Sequence, residues 1–412
     1  MTYQQTTDYL FSKLPVYQNI GGKAYKANLD NIKALCSELK HPQESIKTIH
    51  IAGTNGKGSV AHFLASIFQE QGYKTGLFTS PHLFDFRERI KVDGQMISES
   101  AVVEFTSKLK PYIESEQPSF FEVTTAMAFW YFEQQKTDIA IIETGLGGRL
   151  DSTNIITPEI SVITNIGLDH TQFLGNTLRE IAFEKGGIIK NEIPVVIGEH
   201  QEETYNVFQE IAQLKKAPIY LADEIGEDYI KISPLKGVYQ EKNLATVLSA
   251  LDVLEKEMGY AFDEKNMKSG IERVVQNTGL RGRWEVIQTS PRVIVDVGHN
   301  KEAFLYISEM LKKEQYKQLH VVLGMVADKN HDEVLELLPD KADYYFTQPN
   351  IERALNAESL KTKADNHGLK GDVFSSAEEA YRQALQAATA EDLVFVGGSV
   401  FTVGEVLGGV SV

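Results

Sequence analysis

Short apolar runs recur along this chain, each closed by glycine or polar residues, with helical patterns between them. The first set lies at 46–52 (IKTIHIA), 75–79 (TGLFT), 139–143 (IAIIE), 160–165 (ISVITN) and 193–197 (IPVVI). In 61–71 (AHFLASIFQEQ), Leu64, Ile67, Phe68 and Gln71 follow the i, i+3, i+4, i+7 spacing of one helix face, and three of the four are apolar. Strands alternating with helices predict an α/β fold whose parallel sheet is covered on both faces. The pattern restarts near position 291, with runs at 292–297 (RVIVDV), 319–324 (LHVVLG), 343–347 (DYYFT) and 393–397 (LVFVG). Segment 277–284 (NTGLRGRW) is rich in glycine and arginine and has no periodicity. A domain boundary is expected there, giving a larger domain over 1–280 and a smaller α/β domain over 281–412.

Composition narrows the functional classes. The 412 residues carry a formal net charge of −16, the opposite of the basic face a nucleic-acid binder needs. Anionic small substrates stay open, because a few local cations and N–H groups suffice for them. The single cysteine, Cys36, allows neither an intrachain disulfide nor a cysteine-based metal site, which fits a reducing cytoplasm. The first residues, MTYQQTTDYLFSKL, show no basic stretch followed by an apolar run, so no signal peptide is expected. No run of about 18 apolar residues exists, so no membrane span is expected.

The sharpest chemical signal is 49–59, IHIAGTNGKGS. A β-rich run enters Gly53, Thr54, Asn55, Gly56, Lys57, Gly58 and Ser59, and an amphipathic helix leaves it. Glycines let backbone N–H groups wrap phosphates, and the following helix N-terminus favours negative charge. Lys57 would reach the β- and γ-phosphates of a nucleotide. A plain glycine-rich turn is the bland alternative. The match to G-x-x-x-x-G-K-[ST] is imperfect: Ile51 stands where the first glycine belongs, and Gly58 replaces the hydroxyl after the lysine. The metal-binding hydroxyl would then come from elsewhere.

The GTNGKGS loop resembles that of the Mur ligase superfamily, and its Gly-Ser ending resembles the folylpolyglutamate synthase/dihydrofolate synthase branch. Further blocks follow in order: TSPHLFDFRERIKVDG (79–94), FFEVTTAMAFWYF (120–132), ETGLGGRLDSTN (143–154), GLDHTQFLGNT (167–177), IAFEKGGIIK (181–190), RGRWE (281–285) and DVGHN (296–300). The resemblance implies a P-loop domain, a Rossmann-like C-terminal domain, and an active site in the cleft between them. It also implies an ATP- and Mg²⁺-dependent ligase that adds L-glutamate to a folate or dihydropteroate carboxylate.

The resemblance assigns roles to residues with ordinary alternatives. Ser80, which is also a common turn serine before Pro81, becomes a Mg²⁺ ligand. Glu143, at the end of a strand, points into the crevice where α/β sheets bind ligands, and Mg²⁺ takes hard oxygens. His170, in Leu168-Asp169-His170, becomes a ligand to a second ion. Lys185, otherwise an exposed helix lysine, is carbamylated in the family; that chemistry needs the neutral amine, which burial favours. With Lys57, His170 and Lys185 form the expected catalytic set. Asn243, Arg283 and Asp296 would serve the nucleotide's other end, although Tyr239 stands where the family's helix has histidine, and Val297-Gly298 replace Gly-Ala in its D-G-A-H-N motif. Phe120, Phe121, Glu122 and Asp151 are candidates for the acceptor, since aromatic faces suit a flat pterin; a phenylalanine is as readily core.

In the implied mechanism the acceptor's carboxylate attacks the γ-phosphate, and glutamate's amine then displaces phosphate from the acyl phosphate. Two Mg²⁺ ions and Lys57 would offset the repulsion between the anions. The enzyme is expected to be a cytoplasmic monomer needing neither membrane nor nucleic acid. Two rivals stand beside it. A cell-wall Mur ligase would carry a further N-terminal domain, and only 52 residues precede Gly53. A P-loop switch protein would have no use for the second α/β domain. Whether the product is dihydrofolate, an extended polyglutamate or both stays open, with bifunctionality expected.

Overall fold

The computed structural model describes residues 1–14 and 28–409. It divides the chain into two compact units, Met1–Pro234 with Tyr239–Leu280, and Leu235–Val238 with Arg281–Val412. Each is α/β.

The first unit is built on β1 (Thr48–Ala52), β2 (Thr75–Phe78), β3 (Ile90–Val92), β4 (Gln95–Met96), β5 (Ile139–Glu143), β6 (Ile160–Ile163), β7 (Val195–Ile197) and β8 (Ile219–Leu221). Their order across the sheet is β4-β3-β2-β5-β1-β6-β7-β8. From β2 to β8 the pairings are parallel, whereas β3 and β4 add an antiparallel edge. β1 sits centrally, with Ile49 opposite Ile141 on β5 and Ile160 on β6. Every residue of β1 and β5 is buried, as a sheet covered on both faces requires.

The helix after β1, Lys57–Glu70, is less amphipathic than its spacing suggests: Ser59 through Phe68 are all buried. One side packs on β1, β2 and β5, and the helices Gln240–Met258, Glu264–Glu272 and Val274–Thr278 cover the other. The polar face expected from the sequence is therefore itself an interface. Ser66 illustrates the adjustment, donating its hydroxyl proton to the Gly270 carbonyl at 2.6 Å.

In the second unit, β9 (Glu285–Thr289), β10 (Arg292–Val295), β11 (Leu319–Gly324), β12 (Asp343–Thr347), β13 (Gly371–Val373) and β14 (Leu393–Gly397) run in the order β13-β12-β11-β14-β10-β9. All pairs are parallel except the edge pair β9–β10. The predicted sheets are thus present, each with an antiparallel border that the wholly parallel expectation lacked. Those border strands are short or half-exposed, so they leave no apolar run in the sequence. Among the described residues no helix is long and apolar enough to cross a membrane.

Candidate active site

Parallel strands β2, β5, β1 and β6 lie side by side, so their C-terminal ends share one edge of the sheet. Such an edge is where open α/β sheets bind ligands. The segments leaving it carry Ser80 after β2, Glu143 at the end of β5, the glycine-lysine loop after β1, and His170 beyond β6. Four stretches far apart in sequence are neighbours because the topology interleaves them.

The loop after β1 is laced to the one after β6. Thr54 N–H donates to the Asn165 carbonyl at 2.9 Å, and Asn55 N–H donates to Asn165 Oδ1 at 2.9 Å. Thr164 Oγ1 donates to the Asn55 carbonyl at 2.6 Å, while Thr54 Oγ1 accepts from Gly167 N–H at 2.9 Å. Gly53 and Gly56 are required here. Their φ values are +148° and +86°; a β-carbon on Gly53 would lie 1.8 Å from Thr164 Oγ1, and one on Gly56 would lie 2.3 Å from Asn243 Oδ1. Asn243 therefore packs against the loop itself. Its amide donates to Gln240 Oε1 at 2.8 Å, and Gln240 donates onward to Ser59 Oγ at 3.2 Å.

Two lysines converge on this loop. Lys57 Nζ donates to the carbonyls of Gly53 (3.1 Å) and Thr54 (3.2 Å), and Lys185 Nζ donates to the Gly53 carbonyl at 2.7 Å. Lys185 is buried, unlike the exposed helix lysine of the bland reading. No side chain caps the helix that starts at Lys57, so its first N–H groups add to the positive end. Ser59 is buried and Gly58 half-buried on the same first turn. Lys57 and the open N–H groups of the helix start thus present positive charge to an anion at this loop.

Next to it, Glu143 is only 4% exposed, and its Oε2 accepts Ser80 N–H at 3.1 Å. The Glu143 carboxylate thus stands at the Ser80 backbone, and a carboxylate and a serine are both hard-oxygen residues suited to Mg²⁺. Among the described residues no group of three or more His, Cys, Asp or Glu could hold a metal. A divalent ion at Ser80 and Glu143 would complete its shell with water and substrate phosphate, as Mg²⁺ commonly does, so the residues present fit it. His170 has φ +51°; its N–H donates to Asp169 Oδ1 at 2.8 Å, and its Nε2 lies 3.8 Å from Asp169 Oδ2.

Two residues not singled out from the sequence join this corner. Arg89 is buried beneath it, and its Nε–H donates to His82 Nδ1 at 2.8 Å. Burial pushes the Arg89 guanidinium down to about 10, a drop opposed by the charges of Glu143 and Glu88. Burial and the Arg89 charge push His82 down to about 3, so its ring is neutral and Nδ1 is free to accept. Both lie inside the 79–94 block, but nothing in their spacing tells a buried arginine from a surface one.

The acceptor candidates divide. Phe120 is core-like, with ring centroids 4.9 Å from Phe11 and 5.8 Å from Phe86, and Arg89 lies 5.4 Å over its face. Phe121 is half-buried and lies against Gly145, whose β-carbon would sit 2.4 Å from the Phe121 ring. Glu122 is engaged by its own helix: its Oε2 accepts Ser119 N–H at 2.6 Å, and Ser119 Oγ accepts Glu122 N–H at 3.2 Å, a capping box. Asp151 is likewise engaged. Oδ2 accepts the N–H groups of Gly145 (2.8 Å) and Leu146 (2.7 Å), and Oδ1 accepts the N–H (3.0 Å) and hydroxyl (2.5 Å) of Thr153. Four bonds fill the acceptor capacity of a carboxylate.

In the second unit, Arg283 and Asp296 belong to one structure. Asp296 Oδ2 accepts Trp284 N–H at 2.8 Å, Oδ1 accepts Gly298 N–H at 2.8 Å, and Val297 N–H donates to the Gly282 carbonyl at 3.0 Å. The turn bearing Arg283 is thereby fixed to the end of β10. Val297 and Gly298 both take part in this anchoring through their own N–H groups.

Two family models match the chain. Residues 51–258 match the Mur ligase middle domain, and residues 282–400 match the Mur ligase, glutamate ligase domain. The dihydrofolate synthase/folylpolyglutamate synthase of Bacillus subtilis is 36% identical over 81% of this chain and 84% of its own. The probable bifunctional folylpolyglutamate synthase/dihydropteroate synthase of Haloferax volcanii is 31% identical over 98% of this chain, which spans only about half (50%) of that relative's length. Among solved structures, Escherichia coli FolC in complex with DHPP and ADP superposes with a TM-score of 0.87 at 32% identity, covering 99% of this chain and 97% of that one. A bifunctional folylpolyglutamate synthase/dihydrofolate synthase with Mn, AMPPNP and L-glutamate bound gives 0.85 at 28% identity, covering 99% and 98%.

Proposed function

Because the chain belongs to the dihydrofolate synthase/folylpolyglutamate synthase family of Mur ligases, we propose that it is an ATP-dependent ligase joining L-glutamate to the carboxylate of dihydropteroate or a folate, acting on both. One observation carries the reading. Lys57 and the uncapped start of its helix place positive charge at the sheet edge where Glu143 accepts the Ser80 N–H. A polyanion beside a carboxylate needs such a place. The glutamate ligase domain over 282–400 leaves the nucleotide-switch reading without support.

In the mechanism, the loop from Gly53 to Ser59 holds the phosphates of ATP through backbone N–H groups, and Lys57 draws charge from the γ-phosphate. An oxygen of the acceptor carboxylate attacks the γ-phosphorus, the bond to the β-phosphate oxygen breaks, and ADP leaves. The amine nitrogen of glutamate then attacks the acyl carbon. The carbon–oxygen bond to phosphate breaks, phosphate departs with its electron pair, and the nitrogen loses a proton. Magnesium, when bound, offsets the negative charge of the phosphate oxygens. Ser80 and Glu143 would hold one ion, and His170 with Lys185, as its carbamate, a second. Asn243 beside Gly56 and Arg283 on its anchored turn are assigned to the nucleotide, with Asp296 fixing that turn. Phe121 offers a face to the flat acceptor, while Phe120, Glu122 and Asp151 shape the wall behind it. The enzyme works as a cytoplasmic monomer; its charge of −16 and lone cysteine accord with that.

The test offers purified protein ATP, Mg²⁺ and labelled glutamate with dihydropteroate or tetrahydrofolate in separate reactions. Amide product from each acceptor is expected. ATP turnover that needs neither acceptor nor glutamate would refute the assignment.

A further inference from the structure

Two buried residues of the first unit have no part in the roles above: His50 on β1 and Thr153 in the short helix Ser152–Ile155. Both have 0% exposure. They stand 103 positions apart in sequence, yet His50 Nε2 lies 2.8 Å from Thr153 Oγ1. The Thr153 hydroxyl has one proton, and it goes to Asp151 Oδ1. Toward His50, Thr153 can therefore only accept, so the imidazole proton sits on Nε2. Burial and the Lys190 charge hold His50 well below its ordinary 6.5, so the ring is neutral and has just that one N–H.

The hydrogen bonds continue in one direction. His50 donates to Thr153, Thr153 to Asp151, and the far oxygen of Asp151 receives the N–H groups of Gly145 and Leu146. Those two amides form the turn that directly follows Glu143. On that turn, Gly145 is the contact on which the Phe121 ring rests. A line of polar groups thus runs from the centre of the sheet to the point where the Glu143 end and the aromatic wall meet.

We infer that His50 and Thr153 are positioning residues, a buried one-way relay that fixes the Asp151 carboxylate and, through it, the turn joining Glu143 to the surface against which Phe121 packs. The Thr153 hydroxyl serves two buried partners at once. Remove the Thr153 hydroxyl and two partners are orphaned in the core: His50 Nε2–H, and half of the bonding of Asp151 Oδ1. Buried groups left so are costly and strained, and the nearest relief is movement of Asp151. Asp151 cannot move without carrying Gly145 and Leu146. The catalytic consequence rests on the proposed function, since it concerns the acceptor; the structural consequence does not.

The experiment compares Thr153→Val and His50→Leu, which cut the relay, with Thr153→Ser and His50→Gln, which keep a hydroxyl and a side-chain N–H donor. Amide hydrogen exchange is read on the full chain, and steady-state constants are measured for ATP and dihydropteroate. The cut variants are expected to speed exchange at Gly145 and Leu146 roughly tenfold, with β1 amides unchanged. The dihydropteroate KM should rise by about the same factor, with the ATP KM held within about twofold. Both conservative variants should stay near wild type. The relay is overturned if Thr153→Val leaves those two amides as protected as before, or if exchange rises evenly across the first unit, as plain destabilisation would make it. A wild-type protein that makes no amide refutes the proposed function instead, and the exchange pattern still decides the relay.

Discussion

The two ends of the proposed site are built in opposite ways. At the phosphate end, side chains serve the loop: Lys57 and Lys185 approach backbone carbonyls, and the uncapped helix start leaves N–H groups for an anion. At the acceptor end, the charged side chains are consumed by the chain itself. Glu122 caps its helix, and all four acceptor positions of Asp151 are taken. Residue type therefore signals function only where the backbone leaves the side chain uncommitted. A carboxylate near a ligand can be scaffold, and the backbone of a loop can be the ligand.

Four substitutions should separate the two ends. Lys57→Ala should lower kcat by about 10³-fold while leaving the melting temperature nearly unchanged, because its bonds are to partly open carbonyls. Glu143→Gln should cost about 10²-fold and raise the Mg²⁺ concentration needed for half-maximal rate, read from a metal titration. Asp151→Asn should do the reverse of Lys57→Ala, destabilising the fold by about 1–3 kcal/mol in a denaturant melt, because an amide nitrogen cannot accept from Gly145 and Leu146 or from Thr153. If Asp151→Asn were fully stable yet changed acceptor choice, the scaffold view of that end would be wrong. Glu122→Ala should cost only about 1 kcal/mol, the usual worth of a helix cap.

The smallest effect is on pH dependence. His50 has its folded-state value well below 6.5, so below that pH the unfolded chain binds a proton that the folded chain refuses. Stability is therefore fully retained above pH 6.5 and declines as pH falls beneath it. His50→Gln, which cannot titrate, should flatten that decline in melts collected across the acid range.

The strand, glycine loop and helix start of the proposed phosphate end were legible in the sequence because their signal is local. Gly53 through Ser59 are contiguous, and the run before them reads as a strand. The central strands were legible for the same reason, being short apolar runs with clean ends. The antiparallel borders were not. Gln95–Met96 is exposed, and Glu285–Thr289 is mostly half-exposed, so neither forms an apolar run. The helix Lys57–Glu70 looked amphipathic, since its own sequence cannot reveal that three other helices cover its outer face. Arg89 and His82 were hidden because their meaning is burial. His50 was hidden because its partner lies across the fold at Thr153, and a histidine inside an apolar run looks like any other strand residue.

In the proposed mechanism the acceptor's carboxylate is phosphorylated beside Lys57 before the glutamate amine attacks. Dihydropteroate carrying heavy oxygen in its carboxylate reports on that step. Transfer of one labelled oxygen into inorganic phosphate for each amide formed is predicted. Phosphate that emerges unlabelled while amide accumulates would contradict the account.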